Sequence, residues 1–126
     1  MKPILTLLGL LLIAPLLITT GAIAHGPSKG PNGGRQVDAG DYHVEMVAKN
    51  TALTVYLRDD NDKPVDAKGY KATGIFVVDG KPQRIELKAD SANKLTGTSS
   101  VPLPATLKGA VQVTLPNGKT VQAKFE

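Results

Sequence analysis

The chain has two histidines, His25 and His43, and no cysteine. Metal-binding chemistry on a side chain therefore starts with imidazole nitrogen or carboxylate oxygen. His25 follows Ala22-Ile23-Ala24 and opens the stretch "HGPSKGPNGG". If the chain is cut after Ala24, His25 carries a free α-amine beside its imidazole. Amine and ring Nδ1 of one histidine close a chelate ring on a metal, and a second imidazole completes a flattened nitrogen set, a histidine brace. Imidazole suits copper, zinc and nickel, and flattened nitrogen geometry favours Cu(II). Both groups bind only when unprotonated, with ordinary pKa values near 6.5 and 7.8. Binding is then expected to fade below about pH 6. The alternative is a histidine left by chance on an exposed tail.

His43 supplies the second imidazole. In "YHVEMVA" (42–48) it shares the less apolar strand face with Glu45, two residues on. A His-x-Glu pair offers a metal one nitrogen and one oxygen. It reads equally as an exposed ion pair of small energetic worth. Eighteen residues separate the histidines, many of them Gly and Pro. Closing such a loop costs about 2.6 kcal/mol plus a constant, which added metal–nitrogen bonds can exceed. The candidate set is His25, His43 and Glu45, for Cu(II) or another divalent transition metal.

Other chemistries find less support. Met46 alternates with Tyr42, Val44 and Ala48, which favours core packing over soft ligation. "DDNDKPVD" (59–66) is rich in oxygen donors. Counting from Asp59, however, the positions for an EF-type glycine and glutamate hold Pro64 and Tyr70. An acidic turn capped by proline fits better. "GPNGG" (30–34) is too short, and too far from any helix, for a phosphate loop. There is no G-x-S-x-G, and the serines fall in polar segments. A brace-based copper oxygenase is the one enzyme that can be stated, and the three tyrosines make no substrate platform by sequence. The chain is therefore not read as an enzyme.

Residues 1–24 read as a signal peptide: Met1-Lys2, an apolar run from Ile4 to Ile18, then small residues and an A-x-A site. The apolar run is short for a bilayer span and lacks basic flanks on its far side. With no cysteine, no lipid attaches through a thiol. The expected product is periplasmic or secreted, with no stable membrane anchor after cleavage. Removing Lys2 leaves 14 basic and 11 acidic residues, scattered among one another. A nucleic-acid surface needs clustered base and stacking aromatics, and neither is present. Without disulfides, stability must come from an ordinary core.

The elements that must position these residues are strands. Apolar residues never hold helical spacing, while period-two alternation recurs at 42–48, 52–58, 82–88, 109–115 and 119–125. "GIFVVDG" (74–80) is a continuous apolar run, expected in a central strand. "KLTGTSS" (94–100) is polar, expected at an edge. Asp79-Gly80 and Pro116-Asn117-Gly118 are hairpin turns. The expectation is all-β: an antiparallel β-sandwich, immunoglobulin-like, of about seven strands. It comprises a flexible Gly/Pro-rich arm over 25–34 and one domain over 35–126.

The run "GPNGGRQVDAGDYHVEMV" (30–47) with "LTVYLRDDNDKPVD" (53–66) resembles the small β-rich domain of periplasmic adaptor subunits in heavy-metal efflux pumps, and uncharacterised secreted relatives. The matching features are Gly33-Gly34, Gly40, Tyr42-His43-x-Glu45, the Tyr56 strand and Lys63-Pro64. The resemblance covers about a third of the chain. It implies a periplasmic all-β module in a metal-handling context, with His43 carried over and Glu45 beside it. The chain lacks the coiled-coil hairpin and lipoyl-like segment that bridge pump components. A periplasmic efflux or envelope protein is the implied partner, besides the metal ion. The competing class is a metal-free interaction module, with "KLTGTSS" as an edge on which an extended peptide could pair.

Overall fold

The computed structural model describes residues 27–126, so the expected signal peptide and His25 lie outside the described residues. The described chain is all-β and has no helix. Nine antiparallel strands form one continuous sheet, curled into half a barrel. They are β1 (Ser28–Lys29), β2 (Arg35–Ala39), β3 (Tyr42–Lys49), β4 (Ala52–Asp59), β5 (Lys71–Val78), β6 (Lys81–Ala89), β7 (Lys94–Thr98), β8 (Lys108–Thr114) and β9 (Thr120–Phe125). Their order across the sheet is β1-β2-β3-β4-β7-β6-β5-β8-β9.

This corrects the expected count of about seven strands, and the ladders run continuously through one sheet. The additional strands are β1 and β2. Both are short and mostly polar, so neither carries a strong alternation. The arm is also not loose throughout: from Ser28 it is paired to β2, with Ser28 opposite Gln36 and Lys29 opposite Arg35.

Alternation places the core as expected. Leu53, Val55 and Leu57 point inward from β4, Ile85 and Leu87 from β6, Val111 and Val113 from β8, and Ala123 and Phe125 from β9. Met46 is buried with them. Phe76 and Phe125 are the largest side chains wholly removed from water. The β5–β6 hairpin turns through Asp79 and Gly80, both at positive φ (50° and 76°). A two-residue turn matching the right-handed strand twist requires this.

One placement differs from the reading of the sequence and one agrees with it. β7 is interior, paired with β4 along five residues and with β6 along two. It joins the two halves of the sheet, so it is not a free edge for an incoming peptide. Leu95 buries inward, and its polar neighbours stay on the outer face. β5 is central, as expected, but only one of its faces is covered: Ile75 and Val77 remain exposed.

The half-barrel is held across its open side by Arg35. Its guanidinium donates to the carbonyls of Leu107 and Glu126 and stacks 5.8 Å from the Phe125 ring centre. This links β2 to the β8–β9 end without strand pairing.

Near the start of β3, Tyr42 and Tyr70 share a hydroxyl–hydroxyl hydrogen bond of 3.0 Å, with rings packed edge to face. Burial, then the hydrogen bond and charge of Tyr42, push the Tyr70 hydroxyl up to about 12. An unfolded tyrosine ionises near pH 10. Retention of the folded-state proton therefore stabilises the fold fully below about pH 10, and that stabilisation is lost as pH rises toward 12. Ultraviolet titration should show a late-ionising tyrosine in the native chain. Tyr70→Phe should remove that late step, and an unchanged curve would refute the assignment.

Candidate functional site

His43 sits on the outer face of β3. Strand register sets Asp38 of β2 opposite it on one side and Arg58 of β4 on the other. The loop after β4 brings the third neighbour. Asp59 Oδ1 accepts from the backbone amides of Asn61 and Lys63, both at 2.9 Å, and the Asp59 amide donates to the Lys63 carbonyl. These bonds make the tight acidic turn that the sequence suggested. They hold Asp62 in the left-handed region at φ 61°, where aspartate is better tolerated than most residues. Asp62 thereby faces the imidazole.

The result is a ring flanked on both nitrogens. His43 Nδ1 lies 2.6 Å from Asp62 Oδ1, and Nε2 lies 3.3 Å from Asp38 Oδ1. The imidazole keeps 22% of its surface open, so solutes reach it. A neutral imidazole donates through one nitrogen only, so both contacts are donations only for the imidazolium. In the neutral ring, the short bond to Asp62 fixes Nδ1 as the donor. Nε2 is then the nitrogen with a lone pair to offer.

Glu45 shares the His43 face, as the spacing implied, but it is not exposed. Its side chain is wholly buried beneath the turn over 30–34. Glu45 Oε2 accepts from the amides of Asn32 (2.9 Å) and Gly34 (2.8 Å), and Oε1 accepts from Asn32 Nδ2 (3.0 Å). Arg58 stands 3.4 Å from the same Oε1. The carboxylate is thus fully engaged by the protein and serves to bind the arm to the sheet. Gly30 is required here: a Cβ at that position would lie 2.2 Å from Glu45 Cδ.

Arg58 ties the two carboxylate groupings together. Besides Glu45, its Nε lies 3.9 Å from Asp62. A continuous polar chain therefore runs from Asp38 through His43, Asp62, Arg58 and Glu45 to the turn at Asn32. Beside it, a groove of about 410 Å³ is lined by Lys29, Pro31, Gln36, Arg58 and Asp62. The buried Gln36 Oε1 has no hydrogen-bond partner among the described residues.

The structure thus brings His43 together with Asp38, which was not singled out from the sequence, and with Asp62, from the segment the sequence read only as an acidic turn. It assigns Glu45 to the arm, and His25 lies outside the described residues. Asp38 was legible in principle, because Gly40-Asp41 fixes a hairpin that sets residue 38 opposite 43. Among the described residues, no three His, Asp or Glu side chains converge as a ready metal cage. No protein-family model, curated protein or solved structure matches the chain.

Proposed function

We propose that the chain is an exported, non-catalytic protein that binds a divalent transition metal, with Cu(II) the best match, as a carrier or sensor. His43 would give one nitrogen through Nε2. His25, freed by cleavage after Ala24, would give its amine and imidazole. Glu45 supports the site from behind by fastening the arm. The resemblance to efflux adaptor domains fits this metal-handling role in the periplasm.

The observation that carries the reading is the 2.6 Å bond from His43 Nδ1 to Asp62. Metal-ligating histidines commonly donate their second nitrogen to a carboxylate, which orients the ring and makes it a better ligand.

Calorimetric titration of Cu(II) into a chain beginning at His25 tests this. His43→Ala should weaken binding by at least about tenfold, and Asp62→Asn by about 10- to 100-fold. Binding should fade as pH falls below about 6. Identical heats for wild type and His43→Ala would remove His43 from the site.

A further inference from the structure

Ile75 and Val77 project from the outer face of β5 with 52% and 59% of their surfaces open. They are the only large apolar side chains so exposed among the described residues. β5 lies in the interior of the sheet, between β6 and β8. Strand pairing sets Ala110 beside Ile75 and Pro82 beside Val77 on the same face. A shallow groove of about 730 Å³ runs along β5, β8 and β9 here, with Ile75, Val77 and Ala110 in its lining.

Positive charge surrounds this apolar centre. Register places Arg84 opposite Ile75, Lys108 opposite Val77 and Lys124 opposite Ala110. Lys71 and Lys88 face each other at the far end. Against these five stand two acids, one on a strand and one the C-terminal residue, with Asp79 in the β5–β6 turn. One of the two, Glu86, is paired with Arg84 at 3.2 Å. The other, Glu126, lies at the groove's end.

We propose that this face docks reversibly on the anionic surface of a lipid bilayer. Ile75 and Val77 enter the headgroup boundary, and the lysine stems lie along it with their ammonium groups at the phosphates. Charge complementarity selects an anionic partner. A second copy of the chain would set like charges against each other. An extended acidic peptide gains most by adding to a sheet edge. β5 and β8 are hydrogen-bonded on both sides, so their backbones offer such a peptide nothing, and the end of the edge strand β9 is already engaged by Arg35 at Phe125 and Glu126. A bilayer surface needs only the apolar and cationic side chains.

Co-sedimentation with vesicles tests the proposal on a chain beginning at His25. The protein should bind vesicles of mixed phosphatidylglycerol and phosphatidylcholine, not phosphatidylcholine alone, and should be released by high salt. Each of Lys108→Gln and Lys124→Gln should weaken binding by about fivefold. Ile75→Ser with Val77→Ser should abolish retention, with the thermal midpoint of the folded protein as control. Equal binding to both vesicle types, no binding, or retention unaffected by these variants would overturn the proposal. So would a dimer in sedimentation analysis that Val77→Ser dissolves, or saturable binding of polyglutamate in place of vesicles. These results are independent of whether copper binds.

Discussion

Replacing Glu45 with alanine is expected to lower the free energy of unfolding by about 3–5 kcal/mol. The carboxylate is completely buried, and the Arg58 guanidinium beside it is only 7% exposed. Removing the acid leaves that cation poorly compensated. It also strips the Asn32 and Gly34 amides of their acceptor. Hydrogen bonds to charged groups are each worth about 1.5–3 kcal/mol, and unsatisfied buried partners add a desolvation cost. Glu45→Gln should fall between wild type and alanine. Its amide oxygen can still accept from both backbone amides, but its NH2 would then face Asn32 Nδ2 and Arg58, which are also donors. Urea denaturation reads the stability. Hydrogen exchange at the Asn32 and Gly34 amides should accelerate in Glu45→Ala beyond what global unfolding explains. A loss below about 1 kcal/mol with unchanged exchange at those amides would mean that Glu45 does not fasten the arm.

Acetylating the α-amine of a chain that begins at His25 is expected to weaken Cu(II) binding by on the order of 10²- to 10⁴-fold. Donors linked on one residue engage a common target as a unit, and loss of one forfeits that gain. Acetylation turns the amine into an amide while the His25 and His43 imidazoles stay in place. The folded protein should be unaffected, since Arg35, the strand ladders and the Glu45 turn lie elsewhere. Calorimetry on matched free and acetylated chains reads the difference. Equal affinities would show that metal binding does not use the terminal amine.

The alternating strands were legible because burying one face of a sheet demands period two. Leu53, Val55 and Leu57 obey it, and so do Ile85 and Leu87. Asp79-Gly80 was legible because few residue pairs accept two positive φ values in succession. Strand order was not legible. β7 looks like an edge in isolation because its outward residues are polar. Its interior place follows from how the two halves of the sheet meet, which is non-local. The continuous run through Ile75, Phe76, Val77 and Val78 suggested a central strand, which β5 is, but said nothing of whether both faces are covered. It has one core face and one exposed apolar face, and length alone does not distinguish the two.

The candidate site was half legible. His43 and Glu45 do share a face, but alternation says nothing of what folds over that face. The turn at 30–34 returns 11 to 13 residues away in sequence to bury Glu45. The glycines at 30, 33 and 34 were the available hint that backbone there comes close to something. Asp62 reaches His43 only because Asp59 tightens its loop, 19 residues from the imidazole it meets. A spacing argument cannot see such a partner.

The most direct test is electron paramagnetic resonance of the Cu(II)-loaded chain beginning at His25, compared with its His43→Ala variant. The expected spectrum carries nitrogen couplings from the terminal amine and both imidazoles, and the variant loses one imidazole coupling. A variant spectrum identical to wild type, or a wild-type spectrum of oxygen ligands only, would contradict the proposed metal site.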